Sequence, residues 1–313
     1  MKTTDLWKNF ALLDEISISG AFIYNGLRRY HEMRNLDHTD ELFEFLYNIS
    51  VGFERLLKIA IILFEHNDSV DQEELERSLI THNHLDLLDR LKRHAEISFG
   101  QPHIEFLGLL SKFYKTLRYD RFSLASVYNP QKERKALCYL LEKYLGVDIV
   151  NRPLFEIPNK ERYRKFIKKL ILKISRTLYK IIKLRAMEIG LYTYELRHGS
   201  KAESVFLREI DISEEDILWK ELLIFFMNTK KTSNYLKFLR NIPPLDFDPE
   251  LIADYLDCFK SDSSKAFVMD ELEHHYLELG SKVKERLELM QIIGDPNVIF
   301  GIDEEEFGDD GNE

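Results

Sequence analysis

Apolar residues recur along this chain at intervals of three and four positions, the spacing that places them on one face of an α-helix. Glycine and proline, which often interrupt helices, number only 13 and 8 in 313 residues. No segment alternates apolar and polar residues convincingly over the length of a half-buried strand. The pattern therefore predicts an all-α fold.

Four long helices with short connections are predicted in the first part of the chain, over about residues 6–33, 40–64, 84–99 and 102–127. The second is apolar on so many sides that we expect it to lie at the centre of an up-and-down bundle. A further amphipathic helix over residues 131–145 should end at Gly146.

A boundary is predicted in segment 147–159, which contains Pro153 and Pro158. It would separate a helical bundle, residues 1–146, from a second helical domain, residues 160–300. Residues 301–313 contain seven acidic side chains and no basic one, so we expect a disordered acidic tail.

Charge is distributed unevenly along a chain whose net charge is −10. A long helix predicted for residues 160–197 begins with eleven basic residues against the single acid Glu161. Seven of these bases recur every three or four positions and form one stripe, with apolar residues on the opposite side: Arg162, Lys165, Lys169, Lys173, Arg176, Lys180 and Lys183.

This basic stripe has two interpretations. Aligned cations can follow a nucleic-acid backbone, with an affinity that falls steeply with salt. Alternatively, the stripe is a solvated face, or it binds acidic residues of the same protein. Few aromatic residues punctuate it, so base stacking is not indicated there.

The first half of the chain resembles the HEPN superfamily of helical bundles over about residues 6–144. The resemblance rests on the segment Ser50-Val51-Gly52-Phe53-Glu54-Arg55-Leu56-Leu57-Lys58, on a following His84-Leu85-Asp86 helix start, and on a long last helix with an arginine-rich centre. It implies a bundle that commonly forms a homodimer. In many members it also implies RNA cleavage without a metal.

Active members of that family carry an arginine, then four to six intervening residues, then a histidine near the start of the last bundle helix. The histidine transfers a proton near neutral pH, and the arginine stabilises the charge that develops as a 2′-hydroxyl attacks its own phosphate. Here Arg118 and Arg121 occupy the corresponding helix, but no histidine follows either of them. The two arginines remain the catalytic candidates.

A literal match to the arginine and histidine spacing occurs elsewhere, where Arg77 is followed by His82 and His84. The alternative interpretation is a polar helix start with solvated imidazoles. The group around Arg118 and Arg121 is similarly ambiguous, because guanidinium groups suit phosphate oxygens but can also form a buried ionic network that fixes packing.

Other chemistry is not indicated. Cys138 and Cys258 lie within apolar helical patterns and are interpreted as buried, unpaired residues. The late Glu273-His274-His275 group lacks metal-ligand spacing, and neither a metal site nor a cofactor is predicted. Without an apolar signal core or a membrane-spanning run, we expect a cytoplasmic location.

Two hypotheses follow for the function. The first is a HEPN-like protein of a bacterial conflict system, such as phage defence or toxin–antitoxin control, that binds or cleaves RNA. If it is an enzyme, it is a metal-independent endoribonuclease. The second is a catalytically inactive helical protein that binds a cognate protein partner.

Overall fold

The structure is a computed structural model that describes residues 3–67, 69–120, 122–128, 131–149, 156–198, 200–207, 212–259 and 262–301. These residues contain no β-strand, only an isolated antiparallel bridge between Asn35 and Pro158. The predicted all-α class is confirmed. The chain divides into two compact units, Met1–Ser213 and Glu214–Glu313.

The first unit is built around helix α3 (Thr39–Glu65), in which 16 of 27 residues are buried. It is preceded by one continuous helical segment made of α1 (Thr3–Trp7), a π-helical turn (Lys8–Leu12) and α2 (Leu13–Glu32). The sequence pattern predicted this helix but not its π-helical turn.

Helices α2 and α3 pack closely because glycines face the contact. A Cβ added at Gly52 would lie 2.6 Å from Cγ1 of Ile23, and one added at Gly26 would lie 2.6 Å from Cδ1 of Ile49. Side chains at these glycines would therefore push the helices apart.

Short helices follow, namely α4 (Gln72–Ser78) and α5 (His84–Leu91). The helix predicted for residues 84–99 thus ends at Leu91. Next come α6 (Gln101–Lys112), a second π-helical turn (Phe113–Leu117), α7 (Arg118–Asp120), a 3₁₀ turn (Leu124–Tyr128) and α8 (Lys132–Leu145). Gly146 ends α8 with a positive φ of 62°, as the sequence predicted.

The boundary predicted at 147–159 does not separate the two compact units. Helix α9 (Glu161–Glu188) packs against α3, and its apolar face, including Ile171 and Leu178, is buried in the same core. The preceding segment is also fixed, because the Asn159 side chain donates to the carbonyl of Tyr30 at 2.7 Å and Leu36 N donates to Ile157 O at 2.8 Å. Pro153 lies outside the described residues.

Helix α9 is shorter than the predicted span of 160–197. After Glu188 the amide of Gly190 donates to Met187 O and that of Leu191 donates to Ala186 O, while Gly190 has a φ of 74°. This is the hydrogen-bond pattern of a Schellman C-cap. A 3₁₀ turn (Tyr194–Leu196) and α10 (Lys201–Phe206) complete the first unit.

The second unit contains five helices among its described residues. They are α11 (Ile212–Asn228), α12 (Asn234–Asn241), α13 (Ile252–Cys258), α14 (Asp262–Leu279) and α15 (Val283–Ile292), with 3₁₀ turns at Pro249–Leu251 and Gly280–Lys282. Of the predicted acidic tail, residues 302–313 lie outside the described residues. None of the helices in the described ranges has the length and apolar character needed to cross a membrane.

Candidate functional site

Glu54 places a carboxylate in the middle of the largely apolar helix α3. Its side chain is only 11% exposed. Oε1 accepts a hydrogen bond from Nζ of Lys58 at 2.6 Å, and Oε2 lies 2.9 Å from Nδ1 of His82. Because burying an unpaired carboxylate is costly, these two contacts explain how Glu54 is accommodated beside the core.

His82 reaches Glu54 from the loop between α4 and α5. The loop is held by Asn83, whose side chain caps α5 by accepting from the amide of Leu85 at 3.2 Å. The His82 side chain is 46% exposed. When Nδ1 carries the hydrogen that faces Glu54, Nε2 is left as a proton acceptor, which is how a carboxylate orients an imidazole for acid–base chemistry.

Tyr114 connects the Glu54–His82 pair to Arg118. Its ring lies in the second π-helical turn and meets the His82 imidazole edge-on, with 4.8 Å between ring centres. Cζ of Arg118 lies 3.8 Å from the centre of the same ring and 4.5 Å from that of Tyr119. Two candidates that are distant in sequence, His82 and Arg118, therefore converge on one tyrosine.

The electrostatics around Tyr114 favour a neutral phenol. Burial raises the pKa of Tyr114, and the charge of Glu54 raises it further, while Arg118 opposes both effects. Nε of Arg118 is buried and has no hydrogen-bond partner among the described residues.

A cavity of about 320 Å³ lies beside this cluster. Its walls come from the first helical segment, from α3 and from the second π-helical turn, and its lining residues are Leu12, Glu15, Val51, Glu54, Arg55, Lys58, Ile59, Ile62 and Tyr114. Each π-helical turn contributes one of them, Leu12 and Tyr114. Such turns are rare and occur frequently at functional sites, which supports this location.

The other catalytic candidates have different surroundings. Arg121 lies outside the described residues. Arg77 is exposed and donates to Glu73 of its own helix at 2.9 Å. His82 instead contacts Glu54 and Tyr114. Arg77 and His82 therefore share no contact partner within the described part of the chain.

His84 is fully buried, which corrects its interpretation as a solvated or reactive imidazole. Nε2 lies 2.8 Å from the carbonyl oxygen of Ser50, and Nδ1 lies 3.3 Å from Oγ of Ser111. Burial lowers the pKa of His84, although the hydrogen bond to Ser50 opposes this effect. A neutral His84 therefore joins α5 to α3 and α6.

The basic stripe on α9 is largely exposed. Arg162, Lys165, Lys169, Lys173 and Lys180 face solvent, and of these Lys165 pairs with Glu161 at 2.6 Å. The other two members turn towards neighbouring groups: Nε of Arg176 donates to Phe206 O at 3.2 Å and Lys183 lies 3.6 Å from Glu203. The available part of the stripe is therefore smaller than the seven residues predicted.

Metal-ligating groups do not cluster in the described part of the chain, where no three His, Cys, Asp or Glu residues could hold one ion. Cys138 is buried, as predicted, and burial raises its pKa to about 12. Cys258 is only partly buried, so the expectation of burial was wrong for this residue.

The sequence pattern did not predict a functional role for Glu54, Lys58 or Tyr114. A signal for Glu54 was present, since it is an acid in the mostly apolar central part of α3. Tyr114 gave no comparable signal, because its position depends on the π-helical turn and on a loop that is distant in sequence.

Comparisons of this chain with protein-family models, with curated proteins and with solved structures gave no significant match.

Proposed function

We propose that this protein binds RNA and cleaves it at the cluster of Glu54, His82, Tyr114 and Arg118. The observation that carries the proposal is the contact of both His82 and Arg118 with the ring of Tyr114. A proton acceptor and a phosphate-binding group then lie close enough to act on one phosphodiester.

The proposed reaction uses the RNA's own 2′-hydroxyl as the nucleophile. Nε2 of His82, oriented by Glu54, removes the hydroxyl proton as the oxygen bonds to the adjacent phosphorus. The bond from phosphorus to the 5′-oxygen breaks, and the imidazolium returns its proton to that oxygen. The products are a 2′,3′-cyclic phosphate and a 5′-hydroxyl, and Arg118 stabilises the negative charge that develops on the phosphate oxygens.

The resemblance to the HEPN superfamily supports the same chemistry, because it associates a helical bundle with an arginine and histidine pair. In this chain the pair would be assembled from two segments, the loop before α5 and the end of the last bundle helix. A homodimer, a cytoplasmic location and a role in a bacterial conflict system belong to the same proposal.

The stripe on α9 would supply additional affinity for RNA. Arg162, Lys169, Lys173 and Lys180 are exposed and make no ion pair with an acid of the described residues. From Arg162 to Lys180 the helix spans roughly 27 Å, which is long enough to contact several consecutive phosphates.

The test is cleavage of total RNA by the purified full chain in the presence of a chelator. Alanine at His82 should abolish cleavage, and so should the double substitution Arg118→Ala and Arg121→Ala. His94→Ala is the matched control, because Nε2 of His94 contacts Oε1 of Glu65 at 3.0 Å and this variant removes an equivalent pair elsewhere. Cleavage that is equally fast in the His82 variant would contradict the proposal.

The second hypothesis, a catalytically inactive protein that binds a cognate protein partner, is favoured by one observation. No histidine follows Arg118 or Arg121 at the spacing found in active HEPN members. Failure of the wild-type chain to bind or cleave RNA would support this second hypothesis.

A further inference from the structure

The cavity beside the proposed cleavage site contains one ion pair that the cleavage chemistry does not use. Nη1 of Arg55 donates to Oε2 of Glu15, and the two side chains are 38% and 33% exposed. A carboxylate accepts about four hydrogen bonds and a guanidinium donates five, so this contact leaves most of their capacity available to a ligand.

The remaining walls suit a flat apolar ring. Leu12, Val51, Ile59 and Ile62 contribute aliphatic surface, and Tyr114 contributes an aromatic ring. Bases that are unstacked from single-stranded RNA bind proteins by stacking on such rings and by hydrogen bonding along their edges. The volume of about 320 Å³ is sufficient for a purine with its ribose at the entrance.

We infer that this cavity binds guanine, which makes the proposed cleavage specific for the nucleotide that carries the base. Guanine presents two adjacent N–H groups, N1–H and N2–H, that match the two oxygens of a carboxylate such as Glu15. Its O6 and N7 are acceptors and match the free N–H groups of Arg55. Adenine and uracil lack the paired donors.

Cytosine is a further competitor, because its amino group donates beside a ring nitrogen and a carbonyl oxygen that accept. On its base-pairing edge, cytosine can donate only one hydrogen bond to a carboxylate, because the atom next to its amino group is an acceptor. Guanine donates two parallel hydrogen bonds to the same carboxylate. Parallel bonds to an ionised group are the stronger arrangement. The ion pair of Glu15 and Arg55 therefore favours guanine over the other three bases.

The position of the cavity couples base binding to cleavage. The cavity shares Glu54 and Tyr114 with the cluster that contains His82. A guanosine whose base fills the cavity would hold its ribose beside the His82 imidazole. The 2′-hydroxyl of that guanosine would then be the one activated, so cleavage should occur on its 3′ side. This inference rests on the proposed function.

The experiment compares four dinucleoside monophosphates, GpU, ApU, CpU and UpU, as substrates of the full chain. GpU should be cleaved about 10- to 100-fold faster than the others, the range expected when charge-assisted hydrogen bonds are lost. IpU, in which inosine lacks the 2-amino group, should be slower than GpU by about 10-fold. The inosine substrate leaves the protein unchanged, so folding cannot affect this comparison.

Glu15→Gln should reduce cleavage of GpU towards the rate of ApU, because an amide presents a donor where guanine also presents one. Glu44→Gln is the matched control. Oε2 of Glu44 contacts Nε of Arg29 at 2.7 Å, so this variant alters a similar ion pair on the same two helices without altering the cavity.

The two proposals fail in different ways. Equal cleavage of all four substrates that still depends on His82 would overturn guanine binding and leave cleavage intact. Absence of any cleavage would overturn the proposed function. In that case calorimetric titration of the full chain with guanosine 3′-monophosphate and adenosine 3′-monophosphate decides the inference. Tighter binding of the guanosine ligand would support it, and equal or absent binding would overturn it.

Discussion

Nδ1 of His82 lies 2.9 Å from Oε2 of Glu54, and this contact joins a loop to the central helix of the first unit. The loop brings an imidazole that is nearly half exposed, and the helix brings a carboxylate that is nearly buried. Pairing an exposed base with a buried carboxylate fixes the orientation of the base without blocking its outer nitrogen. The proposed cleavage chemistry depends on this arrangement.

Substitution of Glu54 by Gln should lower kcat for RNA cleavage by about 100-fold or more, because His82 loses the negative charge that orients it and stabilises its protonated form. RNA affinity should not fall, since the substitution removes no positive charge. The measurement is single-turnover cleavage in chelator together with filter binding. Glu65→Gln, which alters a carboxylate that contacts His94 and Arg90, is the control and should cleave normally.

Substitution of Arg118 by Lys should reduce cleavage by about 100-fold, although the charge is conserved. Lysine cannot reproduce the planar stacking on Tyr114 and Tyr119 or the forked donor geometry. Arg77→Ala, which removes only an exposed pair with Glu73, should leave the rate unchanged. A wild-type rate for Arg118→Lys would argue against a phosphate-binding role for the guanidinium.

Substitution of the buried His84 by Ala should destabilise the fold by about 2 to 3 kcal/mol, because it removes hydrogen bonds and leaves a cavity. Urea denaturation followed by circular dichroism measures the free energy of unfolding. His82→Ala is the comparison, and its cost should be smaller because its side chain is partly exposed. Equal costs for the two variants would contradict the structural role of His84.

The pH dependence of the free energy of unfolding should also reflect the protonation of His84. Its pKa is lowered by burial from the usual 6.5, so the unfolded chain takes up a proton at this histidine at higher pH than the folded chain. The contribution of neutral His84 to the free energy of unfolding is fully present above pH 6.5. It is lost as the pH falls through the folded-state pKa of His84. Urea unfolding should therefore show a smaller loss of stability on acidification in His84→Ala than in the wild type.

Replacing Lys169, Lys173 and Lys180 together by Glu should weaken RNA binding and lower the slope of log affinity against log salt by about 2 to 3. The control replaces Lys230, Lys231 and Lys284, three exposed lysines of the second unit, and changes the net charge equally. Gel-shift assays across a salt series measure the slope. An equal loss in both triple variants would indicate a general charge effect and not a binding surface.

Helical periodicity predicted the all-α class. It also predicted the central position of α3, because a helix that is buried on most sides has apolar residues on most sides. The domain boundary was not predictable in the same way. Prolines between residues 147 and 159 resemble a linker, but the apolar face of α9 belongs to the core of α3, and such long-range packing is not encoded in local composition.

The candidate site was predictable only in part. Arg118 was identified from the helix it occupies in the resemblance to the HEPN superfamily. His82 was identified from its spacing after Arg77, so the partner expected for it was Arg77. Its observed partners come from elsewhere in the chain, since Glu54 lies on α3 and Tyr114 on a π-helical turn. A π-helical turn shifts the side chains that follow it, so regular helical spacing cannot place Tyr114 or Arg118 correctly.

The most direct measurement is identification of the RNA ends produced in chelator by the wild-type chain and by the His82→Ala variant. We expect 2′,3′-cyclic phosphate and 5′-hydroxyl ends from the wild type and none above background from the variant. Cyclic phosphate ends produced equally by both, or 3′-hydroxyl and 5′-phosphate ends from the wild type, would contradict it.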